Sequence, residues 1–301
     1  MKLAVMADLH VDLIPGGRQR LEAFYAAAQE EKAHIIINLG DFAAPKQENK
    51  WVAELWRMCP MPHLMVLGNH DMDESDKSKW MQFYGMERSY DTVIMGGVQF
   101  ILLDTNYFNM GGICYDYAYR NYFDKAREFV GAAQQEWLRE VLENADSPCV
   151  LLSHEGLENV GDKEEVMQIL RENRDKIVVC INGHNHVDGL TIQEGIHFLD
   201  IVSMTQQWVG SEYDVLTEQE CEGVFTKEEF QQYPCLKFTA PYQEPLYEFV
   251  EIDMLHKSVS VWGTKSRYIG RSPEERGHCG NVNGVSLSTG VQKKSFVWGE
   301  M

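Results

Sequence analysis

The 301-residue chain reads as α/β, a layered sandwich with mixed sheets flanked by helices, on three observations. Short apolar runs each end on a polar residue, amphipathic helical patterns stand between them, and the later chain offers strand pairs without an intervening helix. Buried strands that deliver polar side chains at their carboxyl ends are how open α/β sheets build sites, and strand-helix alternation places helices over the sheet.

In chain order, Leu3 to Met6 runs into Asp8, Ile35 to Leu39 into Asp41, Leu64 to Leu67 into Asn69, Val150 to Leu152 into His154, and Ile177 to Ile181 into Gly-His-Asn-His. Gln19 to Lys32 carries Leu21, Phe24, Tyr25 and Ala28 at helical spacing, and Glu128 to Glu143 carries Phe129, Ala133, Trp137 and Val141. Apolar residues at i, i+3, i+4 and i+7 predict a helix with one buried face in each case. Leu190 to Ile201 and Leu246 to Trp262 predict strand pairs, so part of the sheet is expected to be antiparallel. Thr105 to Asp124 and Thr205 to Glu244 are rich in aromatics, Gly, Asn, Gln and acids, and read as insertions over the scaffold. Arg267 to Met301 is rich in Gly, Ser and Asn with little periodicity, and Phe296 to Trp298 is its one segment suited to pack back on the body.

A net charge of -19 repels polyanions, which disfavours nucleic acid as a partner and argues against an anionic membrane. Any phosphate chemistry must then be driven by local cations. Met1 to Met6 is too short an apolar stretch for a signal peptide and no later run could span a bilayer, so the reading is soluble and cytoplasmic. The seven cysteines are scattered singly, with neither a disulfide framework nor a zinc ribbon indicated.

The polar groups at the strand ends are of types that bind metals. Asp8 and His10 alternate, so both aim to one side of a strand end. Gly68 to Asp71 offers an amide oxygen, an imidazole and a carboxylate in one turn, and His184 and His186 stand at i and i+2 just past a strand. Each is weak alone, but chance rarely produces all of them at successive strand ends.

In that order (DLH, GD, GNHD, a strand ending in a lone His, and GHNH) the sequence resembles the calcineurin-like metallophosphoesterases from Asp8 to about Trp262. The resemblance implies one ion held by Asp8, His10, Asp41 and His186, a second held by Asp41, Asn69, His154 and His184, and Asp41 as the bridge. It further implies His70 as the catalytic histidine with Asp71 as its orienting carboxylate. Two cations about 3.5–4 Å apart would offset phosphoryl charge and supply a metal-bridging hydroxide at neutral pH. Nitrogen and carboxylate ligands suit Mn, Fe or Zn better than calcium. The expected organisation is a catalytic domain over 1–265, with insertions about 105–124 and 205–244, and a C-terminal extension over 266–301.

Asp41 is followed by Phe42, Ala43, Ala44 and Pro45, whereas the protein serine/threonine phosphatases carry a further Asp and an Arg there, so the usual phosphomonoester clamp is absent. A small-molecule phosphate ester, favoured as a phosphodiester, is therefore the expected substrate; a nuclease of the same family and an inactive scaffold of the same fold are the alternatives. Glu155 is read as a solvated loop residue in preference to a ligand, and His34, His63, His197, His256 and His278 as ordinary surface or core histidines. The aromatics from Tyr107 to Phe123, Tyr115 and Tyr117 among them, serve either as a stacking wall for a flat substrate group or as glue for a long loop. Asp104, Thr105 and Asn106 either line the cleft or form a turn cluster. The oligomeric state is not legible.

Overall fold

In a computed structural model, which describes residues 1–299, two six-stranded sheets face each other. The first runs Lys294–Val297, Ser258–Gly263, Glu248–Asp253, Lys2–Met6, Ile35–Asn38, His63–Met65; the second runs Gly189–Gln193, Ile196–Asp200, Ile177–Asn182, Cys149–Ser153, Val98–Leu102, Asp91–Met95. In the first sheet Lys2–Met6, Ile35–Asn38 and His63–Met65 pair in parallel at one end and the other half is antiparallel. In the second the four central strands are parallel and the two edge strands antiparallel. Both expected strand pairs are antiparallel, Gly189–Gln193 with Ile196–Asp200 and Glu248–Asp253 with Ser258–Gly263.

Alternation along buried strands explains the layering. Leu3 and Val5 point inward with Ile37, Val150, Leu152, Ile181 and Val250, forming the core between the sheets. Ala4, Met6 and Ile36 point outward, under the helices Gly17–Glu30, Lys50–Arg57 and Lys77–Tyr84. Ile101, Leu151 and Cys180 do the same beneath Ala132–Glu143 and Lys163–Glu172. Each fully buried leucine or isoleucine contributes roughly 1.5–3 kcal/mol.

Gly17–Glu30 buries Leu21, Phe24 and Ala28, the expected face. The helix expected from Glu128 begins only at Ala132. Ala126–Phe129 is instead a strand on Tyr107–Met110, and Gly131 at φ 80 turns the chain, its amide and that of Val130 donating to Asp162. The buried face is Gln134, Leu138 and Leu142, one residue out of phase with the expected Ala133, Trp137 and Val141. Phe129 belongs to the strand, so a helical period that includes it starts out of register.

The first insertion is a three-stranded sheet, Tyr107–Met110, Ile113–Asp116 and Ala126–Phe129, and so extends past Asp124. The second holds the strand pair Gln206–Trp208 and Thr239–Pro241 and the helix Lys227–Gln232, whose capping box joins Thr226 to Glu229. The tail does pack back: Lys294–Val297 forms a sheet edge and Trp298 is buried. No helix among the described residues is long and apolar enough to cross a membrane. All seven cysteines are free.

Candidate metal centre

Three candidate ligand-bearing segments follow parallel strands of the first sheet (Asp8 with His10, Asp41, Asn69) and two follow the second (His154; His184 with His186). The cluster therefore straddles both sheets at their carboxyl ends. Reaching it bends the backbone: Asp8, His10, Asp41, His184 and His186 all have φ between 47° and 66°. Left-handed backbone at non-glycine residues costs energy and persists where packing imposes it, often at functional sites. Gly68 is required by close approach, because a Cβ there would collide with the backbone nitrogen and carboxylate of Asp41. At Gly40, φ 97, a Cβ would also stand 2.9 Å from His154 Nδ1.

Donor atoms converge in two groups. In the first, His10 Nε2 lies 3.3 Å from His186 Nε2, and Asp8 Oδ1 is 3.5 Å from His186 Nε2 and 3.9 Å from His10 Nε2. In the second, Asn69 Oδ1 lies 3.0 Å from both His154 Nε2 and His184 Nδ1. Asp41 Oδ2 stands between the groups, 3.6 Å from His10 Nε2 and 3.4 Å from His154 Nε2. Ligands about 2.0–2.2 Å from one cation are necessarily about 3.0–3.6 Å from each other, so these spacings fit two coordination shells sharing Asp41. They fit hydrogen bonding poorly, since imidazole nitrogens face one another.

Surrounding groups occupy the other atoms of these side chains. The amide of His184 donates to Asp8 Oδ2 and that of His70 to Asp41 Oδ1, leaving one oxygen of each carboxylate for the centre. Asp8 Oδ1 is buried with no hydrogen-bond partner, an orphaned anionic oxygen that a cation would satisfy. His154 Nδ1 meets the Leu39 carbonyl at 2.7 Å and His186 Nδ1 the Gln206 carbonyl at 3.1 Å, which leaves each Nε2 as the lone-pair nitrogen. His184 is reversed: its Nε2 lies 2.8 Å from Glu155 Oε2 and its Nδ1 faces the centre. Glu155 is thus a buried partner of His184 and not the solvated residue expected. Its two neighbours in sequence are a histidine and a glycine, which gave no sign of this burial.

Electrostatics follow from the crowding. Burial pushes the Asp41 carboxyl up, but His154 and His70 outweigh it and hold Asp41 well below the ordinary range. Burial likewise opposes the charged form of His154, yet Asp41 and Asp8 raise it to about 10, the cluster drawing in positive charge. Burial takes His10 down to about 4.

His70 stands at the rim, with its side chain 40% exposed and its ring 5.6 Å from that of His10. Its Nδ1 lies 2.9 Å from Asp73 Oδ2. Asp71, the expected orienting carboxylate, does something else: it accepts the amides of Asp41, Phe42 and Gly68 and ties two metal-bearing loops together. The short 3-10 turn His70–Met72 aims Asp71 back under the loop and brings Asp73, three residues on from His70, alongside the imidazole. The i, i+3 spacing in His-Asp-Met-Asp was the available signal.

The aromatic insertion divides between its two expected roles. Tyr117 and Tyr122 are buried and stacked with centroids 3.9 Å apart, and Tyr115 stacks on Phe108, so Tyr115 and Tyr117 form no wall of the cleft. Phe123 does line it, its ring 6.3 Å from that of His70. Asp104 and Asn106 are buried anchors, taken up with Lys77, the Gln134 contacts and the Leu67 carbonyl. Among the other histidines, His197 stacks on Phe296 and His63 meets Trp56 edge-to-face, while His278 from the tail lines the cleft.

Residues 1–188 match the family described as calcineurin-like phosphoesterase. The chain belongs to that family. No curated protein sequence matches it. Among solved structures, this phosphoesterase chain is similar to a dimetal phosphatase from Danio rerio, with 13% identity over 90% of this chain and 99% of that one and a TM-score of 0.58. It is also similar to the Plasmodium protein described as GAP50, the anchor in the inner membrane complex, with 12% identity over 98% and 90% of the two chains and a TM-score of 0.50. At these identities the likeness shows the fold, which one relative presents as a phosphatase and another as an anchor.

Proposed function

We propose that the protein hydrolyses a small-molecule phosphate ester, with a phosphodiester favoured, using two transition-metal ions. The observation that carries this reading is the convergence of imidazole nitrogens and the orphaned Asp8 oxygen around a shared Asp41. Asp8, His10, Asp41 and His186 would hold one ion, and Asp41, Asn69, His154 and His184 the other. Such a pair would supply positive charge against the phosphoryl group and a water acidified to near neutrality. Manganese, iron and zinc all suit the donor set.

Asn69 ligates without adding negative charge, which keeps the site electrophilic. Asp71 fixes the spacing of the Asp41 and Asn69 loops through its three amide contacts. His70, with Nδ1 taken by Asp73, presents Nε2 to the substrate. Burial lowers its proton affinity, and Asp41 and Asp73 raise it. The Asp73 contact on Nδ1 favours the protonated ring, which could give a proton to the departing oxygen. Residues 1–265 form the catalytic body in this reading and 266–301 a C-terminal extension, from which His278 and Val282 line the cleft.

Stripping the protein with a chelator and reloading it with manganese, iron or zinc tests the proposal. Metal-dependent release of product from at least one of a set of mono-, di- and pyrophosphate esters is expected. Absence of turnover by fully loaded protein across the set would favour an inactive scaffold instead.

A further inference from the structure

The loop after Asp41 has no arginine, and the chain is strongly acidic, yet two guanidiniums reach the cleft from elsewhere. A cleft of about 540 Å³ runs from His10, His70 and His184 to Arg120, Phe123 and Arg127 of the first insertion and Trp208 of the second. Arg120 Nη2 lies 3.2 Å from Asp73 Oδ2, the same carboxylate that holds His70, so this cation stands one side chain from the proposed proton donor. Arg127 pairs with its neighbour Glu128 at 3.5 Å and lies over the face of Tyr122 at 6.0 Å. Phe123 and Trp208 are 53% and 45% exposed, large apolar surfaces left uncovered in a concave site. Glu212 also lines the cleft, on the second insertion.

The geometry points to a second anion subsite beside the metal centre, formed by Arg120 and Arg127, that holds a phosphate group of the substrate other than the one cleaved. The inference rests on the hydrolase reading above and sharpens its substrate class to esters that carry a flat ring and a second phosphate. Guanidinium forks match phosphate oxygens with paired, charge-assisted hydrogen bonds, and two of them suit a dianion better than a monoanion. Phe123 and Trp208 supply ring faces on the same cleft, where an aromatic group gains most from burial. Because a metal pair treats all phosphates alike, selectivity must come from groups such as these.

The test uses two nitrophenyl aryl phosphodiesters, identical except for a phosphate or a methyl group on the second aryl ring. Metal-loaded protein should turn over the phosphate-bearing ester with at least tenfold higher kcat/KM. Arg127→Gln should bring that ratio towards one, and Arg127→Lys, which keeps the charge without the fork, should retain part of it. Arg120→Gln should also lower the ratio, and quoting a ratio cancels any shared loss that arises through Asp73. Calorimetry with uncleavable phosphonate analogues of both compounds reads the same preference without turnover. Arginine-dependent binding with no hydrolysis of either ester would sink the hydrolase reading and keep the subsite. No preference in the unmodified protein, or one that survives both Arg→Gln substitutions, would overturn the subsite.

Discussion

The two insertions are built from similar residues and yet attach differently. The first is tied to the catalytic loop: Tyr122 places its hydroxyl 2.9 Å from the Asn69 carbonyl and 2.5 Å from Asp73 Oδ1, and Lys77 pairs with Asp104 at 2.6 Å and Asp116 at 2.7 Å. The second is tied to the scaffold and tail. Its small core joins Leu216, Cys221 and Leu236 to Ile14 and Ile269, and Arg276 donates to the carbonyls of Asp214, Lys237 and Thr239. Towards the centre its first residues offer main-chain and hydroxyl contacts, with Gln206 accepting from His186 and Thr205 donating to the Asp8 carbonyl. The difference teaches that one insertion braces the loop bearing Asn69, His70 and Asp73, while the other is anchored away from it and offers Trp208 to the cleft.

That contrast can be broken most forcefully at the buried cations. Lys77→Ala strands Asp104 without its counter-charge and should cost about 3–5 kcal/mol in chemical denaturation. It should also lower turnover, because the connection bearing Tyr122, which follows Asp116, loosens. Arg276→Ala leaves three carbonyls short and should cost about 3 kcal/mol, while kcat for a small ester at permissive temperature stays near the parent value. Equal loss of turnover in both would erase the distinction.

A smaller effect sharpens it. Tyr122→Phe removes one hydroxyl and should cost about 1–2 kcal/mol of stability, with bound metal retained and kcat reduced. If metal is lost in step with kcat, the hydroxyl supports Asn69 more than Asp73 and the link to His70 is wrong.

The smallest effect lies in the second region. Burial would raise the Glu220 carboxyl, but Arg271 and Thr217 outweigh it and bring it to about 2 from an ordinary 4.5. A depressed carboxylate contributes stability that is complete above its unfolded value and drains away as pH falls from about 4.5 to 2. Partial exposure limits this to about 1 kcal/mol. In Glu220→Gln the acid unfolding curve should be shallower across that window, and an unchanged curve would assign the link no role.

Most of this arrangement was legible in the sequence, for identifiable reasons. Buried strands such as Ile35–Asn38 and Ile177–Asn182 declare themselves by composition and by the polar residues at their ends, so a layered α/β scaffold with mixed sheets could be anticipated. Local geometry was not legible. Whether Asp71 or Asp73 reaches His70 depends on one turn of 3-10 helix, and Glu155 is buried against His184, which only tertiary folding brings to it. The helix at Ala132 was misplaced because Phe129 suits either period. Arg120 and Arg127 gave no local motif, since only tertiary folding carries them to the cleft.

The central claim is a pair of cations sharing Asp41, with His70 acting on the substrate and not on the metal. Metal content of Asp41→Asn and His70→Ala, measured alongside their turnover of one responsive ester, tests it most directly. The parent should bind two equivalents; Asp41→Asn should lose both metal and activity, because the bridging charge that offsets two facing cations is gone. His70→Ala should keep its metal and lose about 100-fold or more in kcat, as expected of a removed proton donor. Full metal content and turnover in Asp41→Asn, or parallel loss of metal in both variants, would contradict the account.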